Sequence, residues 1–67
     1  MIRIKDEVVH KTLGDPAVVI DITTDGKGRQ RFWAITKKDR GFIAYARVSD
    51  YVKTGVHVDD LDDYLGI

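Results

Sequence analysis

The chain has 67 residues, with eleven basic and eleven acidic side chains and a formal net charge of zero. A chain of this length buries only about 60% of the surface that its unfolded form exposes, so it holds one compact core and excludes a second domain of ordinary size. With 43% apolar and 33% charged residues, the composition is that of a globular domain and not of a disordered segment.

Cysteine is absent, which excludes disulfides, thiolate metal ligands and a cysteine nucleophile. Apolar runs such as residues 17–20 are far shorter than the roughly 18 apolar residues of a membrane span. The N-terminus shows alternating charge and no signal-peptide pattern. We therefore expect a mature, soluble protein of the cytoplasm.

The charges are unevenly placed along the chain. Residues 27–40 carry six basic side chains against one acid, Asp39, whereas residues 59–67 carry four aspartates and no base. Residues 1–58 carry eleven basic and seven acidic groups, a balance of +4 that the last four aspartates cancel. This distribution predicts faces of opposite charge.

In chain order, the first strand is predicted at residues 2–5, where apolar and polar side chains alternate, with a continuation at residues 8–9. Turn-forming residues at 12–16 predict a reversal. Residues 17–24 are rich in β-branched side chains and predict a second strand. Alternation along this strand predicts one core-facing side that carries Val18, Ile20 and Ile22.

Residues 25–28, with two glycines, predict the loop of a β-hairpin. The next strand, residues 29–37, carries apolar groups on both faces, Phe32 on one and Trp33 on the other, which is typical of a central strand. A polar turn and a further strand at residues 42–48 complete a three-stranded meander that begins at residue 17.

The rest of the chain predicts short elements. Ser49 is placed to cap a single helical turn at residues 49–53, followed by a brief closing strand at residues 56–58. Residues 59–66 predict a short C-terminal helix, because aspartates suit the positive end of the helix dipole and Gly66 can end it.

Together these elements predict a mainly β fold, either a small SH3-like barrel or a strongly curled antiparallel sheet of four or five strands, with a short C-terminal helix. At this size, curling is the natural way to bury both the apolar side and the edges of a sheet. Residues 1–67 are expected to form a single domain, with the meander core at about 17–48 and the acidic helix at about 59–65.

Glycines and hydrophobic residues follow a recognisable order in the middle of the chain: Leu13-Gly14-Asp15-Pro16, the run Ala17-Val18-Val19-Ile20-Asp21-Ile22, the loop Asp25-Gly26-Lys27-Gly28, and Phe32-Trp33-Ala34-Ile35. This order resembles the glycine-strand-turn-strand pattern of KOW-type and Tudor-like modules, over about a third of the chain. The resemblance implies an SH3-like barrel. It also implies a ligand that is nucleic acid, a ribosomal or polymerase component or a short peptide, held by loops and exposed aromatic residues at one end of the barrel.

No pattern predicts catalysis. Ser49 is the one serine, with Asp50 and His57 as imaginable partners, but a helix-capping role accounts for it better. His10 and His57 lack the spacing of metal ligands and are interpreted as surface or strand residues. We expect no enzyme activity, no metal and no cofactor.

Four aspartates form an acidic group near the C-terminus: Asp59, Asp60, Asp62 and Asp63. They lack the spacing of a calcium-binding loop, and a solvated helix start is the favoured interpretation. The alternative is an acidic surface that docks on a basic partner or imitates nucleic acid. The spacing does not separate these options.

A group of basic residues with an aromatic side chain among them is the candidate binding surface: Lys27, Arg29, Arg31, Trp33, Lys37, Lys38 and Arg40. Basic side chains neutralise phosphates, and an exposed aromatic ring can stack on a base. The alternative is that Trp33, like Phe32, fills the core, while the basic residues keep a hairpin soluble.

Three functions are compatible with these patterns. The leading hypothesis is a non-enzymatic protein-interaction module, an accessory or regulatory protein whose charged faces meet another protein. The second is a nucleic-acid-binding barrel that uses residues 27–40. The third is a self-assembling structural subunit that pairs with copies of itself through a sheet edge and the amphipathic C-terminal helix.

Overall fold

A computed structural model describes all residues, 1–67. Five strands and two short helical segments follow one another: β1 (Asp6–His10), β2 (Pro16–Thr24), β3 (Gln30–Thr36), β4 (Phe42–Arg47), a 3-10 turn (Val48–Asp50), β5 (Tyr51–His57) and α1 (Leu61–Leu65). The strands form one sheet in the order β4-β3-β2-β1-β5, with antiparallel neighbours throughout. β4 and β5 do not pair, so the sheet stays open. The prediction of a mainly β fold with a short C-terminal helix is confirmed.

The hairpin of β2 and β3 forms where the glycine-rich loop predicts it, and Thr24 stands opposite Gln30. Within the loop, Asp25 Oδ1 accepts hydrogen bonds from the backbone N–H groups of Lys27 (2.8 Å) and Arg29 (2.9 Å). Gly28 adopts a φ of +78°, which a residue with a Cβ rarely takes. An aspartate and a glycine thus fix the turn.

The core lies on the inner face of the sheet. It is formed by buried apolar side chains of the N-terminal segment and of three strands: Ile2, Val8, Ala17, Val19, Phe32 and Ala34. Phe32 of β3 meets Tyr51 of β5 edge to face, with ring centroids 5.0 Å apart. Since β2 and β1 separate these two strands in the sheet, this contact shows that the sheet is strongly curled.

The predicted core-facing side of β2 is correct for Ile22 and wrong for Val18 and Ile20. Ala17 and Val19, not Val18, face the core, and a register shift between Val19 and Asp21 leaves Ile20 as an extra residue. This β-bulge breaks the alternation, so that Ile22 returns to the core side. A single bulge therefore changes which residues of β2 face the core.

The outer face of β2 is covered by the C-terminal segment. Val18 is 0% exposed, and a small apolar cavity beside it is lined by Ile4, Ile20 and Leu61 of α1. The Tyr64 hydroxyl donates a hydrogen bond of 2.5 Å to Glu7 in β1. With both faces covered, residues 17–19 of β2 are fully buried, which fits their continuous apolar sequence.

The predicted helix is confirmed as α1, with bounds slightly inside those expected. The Asp60 side chain accepts hydrogen bonds from the backbone N–H groups of Asp62 and Asp63, and Gly66 ends the helix at a φ of +76°. Neither helical segment of the structure is long and apolar enough to cross a membrane.

The first strand lies later than predicted. Residues 4–5 form a turn, with Lys5 at a φ of +73°, and β1 begins at Asp6, where a break was expected. Asp6 is only 5% exposed and accepts hydrogen bonds from the Arg3 N–H (2.9 Å) and from His57 Nδ1 (3.0 Å). The bond to His57 holds the pKa of Asp6 below its usual range. A buried carboxylate that joins two segments explains the turn.

The segment after β4 also departs from the prediction. Val48–Asp50 is a 3-10 turn in which Ser49 provides no cap, and β5 begins at Tyr51 instead of residue 56. Tyr51 packs edge to face on both Phe32 and His10, with centroids 5.0 Å apart in each pair. These tertiary contacts outweigh the local helix signal at Ser49.

Candidate nucleic-acid interface

The predicted basic residues separate into two groups. β3 spans roughly 20 Å between its two flanking turns, at about 3.3 Å per residue. Lys27, Arg29 and Arg31 lie at or beside the turn that precedes the strand. The three others, Lys37, Lys38 and Arg40, lie in the turn that follows it. Residues 27–40 therefore do not form one continuous surface.

A cavity of about 390 Å³ opens beside the start of β3 and the end of β4. Its lining is mostly polar and includes three arginines: Arg29, Gln30, Arg31, Arg47, Val48 and Ser49. We call it the arginine cleft. Arg31 and Arg47 are directly opposite each other in the pairing of β3 with β4, which is why residues sixteen positions apart in sequence share one site.

Arg31 is held in a defined position. Its Nε lies 3.4 Å from Asp25 Oδ2, and its guanidinium carbon lies 5.1 Å from the centre of the Tyr45 ring. Hydrogen bonds from the backbone N–H groups of Arg29 and Lys27, together with the bond from Arg31, keep the pKa of Asp25 below its usual range. Asp25 thus stays charged and orients Arg31 between the turn and an aromatic ring.

The other two arginines of the cleft have no carboxylate partner. The only ion pairs of the structure join Arg31 to Asp25 and His57 to Asp6. Arg29 and Arg47 are both exposed. The cleft therefore carries an excess of positive charge although the whole chain is neutral. Lys27 adds a further exposed positive charge in the adjacent turn but does not line the cavity.

Trp33 is half-buried on the outer face of β3, next to the cleft. Its ring meets the Tyr45 ring edge to face, with centroids 5.7 Å apart and planes 66° apart. Phe32, in contrast, is 0% exposed and serves the core alone. Two aromatic side chains of the outer face, Trp33 and Tyr45, are thus grouped with Arg31.

The far turn is differently built. Lys37 Nζ lies 5.1 Å above the Tyr64 ring, a cation–π contact with α1. Lys38 and Arg40 are exposed and line no cavity. Hydrogen bonds from Thr36 and Gly41 keep the pKa of Asp39 below its usual range. These basic residues form a solvated turn with no concave surface.

The acidic residues surround the start of α1. Asp60 is its cap, and Asp59, Asp62 and Asp63 are exposed. Asp59, Asp60 and Asp63 line a shallow cavity of about 320 Å³ together with the end of β5. No three acidic or histidine side chains are arranged to hold a metal ion.

The residues considered for catalysis lie apart. Ser49 lines the arginine cleft, whereas His57 is bonded to Asp6, and no hydrogen bond joins Ser49 to His57. His10 ends β1, and its Nδ1 accepts hydrogen bonds from the N–H groups of Thr12 (3.1 Å) and Leu13 (3.3 Å). His10 therefore stabilises the turn after β1, and His57 joins the end of β5 to the start of β1.

Two residues of the candidate site were not predicted from the sequence, Arg47 and Tyr45. Both lie in β4, outside the basic stretch, and only the pairing of β4 with β3 brings them to Arg31. Comparison of the chain with protein-family models, with curated proteins and with solved structures gave no match. The candidate site thus rests on its own geometry.

Proposed function

We propose that this chain is a non-enzymatic module that binds nucleic acid, with the arginine cleft as its phosphate-binding surface. The observation that supports this most is the convergence of Arg29, Arg31 and Arg47 on one open cavity, with a carboxylate partner for Arg31 alone. The planar guanidinium group donates two parallel hydrogen bonds to a phosphate, which makes arginine well suited to this ligand.

Nucleic acid is one of the three ligand classes that the resemblance of residues 13–35 to KOW-type and Tudor-like modules implies. The cleft lies at the turn end of the hairpin that carries this resemblance. The neutral net charge does not oppose the proposal, because charges further apart than about 8 Å are largely screened at physiological ionic strength. Four of the eleven acidic residues are gathered near α1, outside the lining of the cleft.

A double variant with a matched control tests the proposal. Arg29→Ala with Arg47→Ala removes two charges from the cleft, and Lys38→Ala with Arg40→Ala removes two from the far turn. Fluorescence anisotropy with a labelled oligonucleotide at several salt concentrations measures both. We expect the cleft variant to bind about tenfold more weakly or worse, with a log affinity versus log salt slope lower by about 1.5, since each phosphate contact contributes about 0.7 to 0.9.

The far-turn variant is expected to bind almost as the wild type does. An equal loss of affinity in the two double variants would show that binding follows net charge alone, and the cleft would not be the site. Far-ultraviolet circular dichroism verifies that both variants are folded, which is expected because all four side chains are exposed and form no ion pair.

The second candidate function is the protein-interaction module, and the outer edge of β4 favours it. β4 pairs with β3 on one side only, and Phe42 on this strand is 74% exposed. An unpaired edge with an exposed aromatic residue can accept a strand from another protein. A stoichiometric protein captured from lysate by the wild type and by the cleft variant, but not by Phe42→Lys, would support this candidate.

Self-assembly through the same edges is the third candidate. Both edge strands carry register shifts, between Asp6 and Val8 in the pairing of β1 with β5 and between Phe32 and Ala34 in the pairing of β3 with β4. Bulges twist an edge away from a regular partner, which opposes edge-to-edge pairing. We therefore expect light scattering to give the monomer mass over a wide range of concentrations.

A further inference from the structure

Tyr45 occupies an unusual backbone position in β4. Its φ is +54°, a left-handed conformation that a bulky side chain rarely adopts. The pairing with β3 explains the position: Ala46 stands opposite Phe32 and Ile43 opposite Ala34, so that two residues, Ala44 and Tyr45, stand opposite Trp33 alone. Tyr45 is therefore the left-handed residue of a β-bulge.

The bulge has two consequences for the cleft. It sets the Tyr45 ring against Trp33 and Arg31, at 5.7 Å and 5.1 Å, while 47% of Tyr45 remains exposed. It also moves the register by one residue. Counted from Ile35 opposite Phe42, an unbroken pairing sets Arg47 opposite Gln30, whereas the observed pairing sets it opposite Arg31. The bulge thus both places Arg47 opposite Arg31 and leaves the Tyr45 ring partly exposed beside Arg31.

We propose that Tyr45, supported by Trp33 and Arg31, is a stacking platform for an unpaired base, and that the preferred ligand is single-stranded nucleic acid. This inference rests on the proposed function of the arginine cleft. Arg31 belongs to both features, because it lines the cleft and lies over the Tyr45 ring. A phosphate held in the cleft places the neighbouring base beside this ring. In a duplex the bases are stacked and paired, and they do not reach an exposed ring.

A purely structural role for the bulge is the competing explanation. Twisting an edge strand needs the backbone conformation and not the ring. Tyr45→Asn separates the two explanations, because asparagine tolerates a positive φ and keeps the bulge while it removes the ring. Tyr45→Phe keeps the ring and is the conservative control.

Three probes of equal length isolate the contribution of the base: an oligothymidine of about 20 nucleotides, an abasic strand and a duplex. We expect the wild type to bind oligothymidine at least about fivefold more tightly than the abasic strand, which matches one stacked base. We expect Tyr45→Asn to abolish this difference, so that its affinity for oligothymidine equals its affinity for the abasic strand. Tyr45→Phe is expected to retain it.

Trp33 provides an independent readout, since it is the only tryptophan of the chain and touches Tyr45. We expect oligothymidine to quench its fluorescence and the abasic strand to leave it unchanged. Equal affinity of the wild type for oligothymidine and the abasic strand, or a difference that survives in Tyr45→Asn, overturns the platform while the cleft stands. An absence of salt-dependent binding to all three probes overturns the cleft and the platform together.

Discussion

The turn at residues 25–29 and the turn at residues 37–41 lie at opposite ends of β3, and an aspartate organises each of them. Asp25 accepts hydrogen bonds from two backbone N–H groups of its turn. Asp39 accepts one from the Gly41 N–H (3.0 Å) and another from the Thr36 hydroxyl. Both turns are rich in basic residues, yet only the first borders a polar cavity.

The difference between the turns lies in what each aspartate does beyond closing the backbone. Asp25 also bonds Arg31 and directs it toward the partner strand, where Arg47 stands opposite. Asp39 bonds no basic side chain, and Lys38 and Arg40 extend into solvent. A run of basic residues therefore becomes a site only where a fixed carboxylate and strand pairing gather them.

Acidification is expected to cause the largest loss of folding stability, because it protonates the aspartates of both turns. The pKa values of Asp25, Asp39 and Asp6 are all lowered in the folded protein. The unfolded state therefore binds protons more readily. The stabilisation is complete above the unfolded value of about 3.9 and is lost as the pH falls through the lower folded values. Urea midpoints measured from neutral pH down to about 3 check this. Asp25→Asn and Asp39→Asn should each flatten the acid limb, and an unchanged limb in both would contradict the prediction.

Substitution of each aspartate alone should show which of the two turns contributes more to the stability of the fold. We expect Asp25→Ala to lower the melting temperature by several degrees, and by more than Asp39→Ala does. Replacing Asp25 removes the acceptor for two backbone donors and for Arg31, whereas replacing Asp39 removes the acceptor for one backbone donor and one hydroxyl. Thermal unfolding followed by circular dichroism measures both. Equal losses, or a larger loss for Asp39→Ala, would show that the bond to Arg31 does not stabilise the first turn.

The smallest changes in stability are expected from substitutions at positions with a left-handed backbone conformation. The first turn places its left-handed conformation at Gly28 (φ +78°) and the second places it at Arg40 (φ +56°). We expect Gly28→Ala to destabilise the protein by about 1 kcal/mol and Arg40→Gly to stabilise it by up to about 1 kcal/mol, because a Cβ is strained at positive φ. A Cβ at Gly28 meets no atom within 4 Å, so steric overlap does not contribute. Chemical denaturation measures both changes, and changes of equal sign would contradict the prediction.

The sequence predicted the elements whose signals are local. The glycines of residues 25–28 located the hairpin, and the aspartates and Gly66 located α1. It missed elements that depend on distant contacts. β5 begins at Tyr51 because this ring packs on Phe32, and β1 begins at Asp6 because its carboxylate bonds both Arg3 and His57.

For the candidate site, the feature that the sequence did not predict was the register of β4 against β3. Arg29 and Arg31 were among the predicted residues. Arg47 lies beside them only because of the bulge at Tyr45, and no residue type in β4 predicts a bulge at this position. Lys37, Lys38 and Arg40 belonged to the same basic stretch and lie at the other end of β3. Proximity in sequence overestimated their proximity in space, because a strand separates its ends.

The sheet order has a consequence for the assembly of the chain. β2, β3 and β4 pair with their neighbours in sequence, so this part of the sheet can form early, from local encounters. β1 sits between β2 and β5, and its second partner lies more than forty residues away. During synthesis, β1 therefore has one open side until β5 leaves the ribosome. Val8, at the centre of β1 and fully buried in the folded chain, lies on this incompletely paired strand until then.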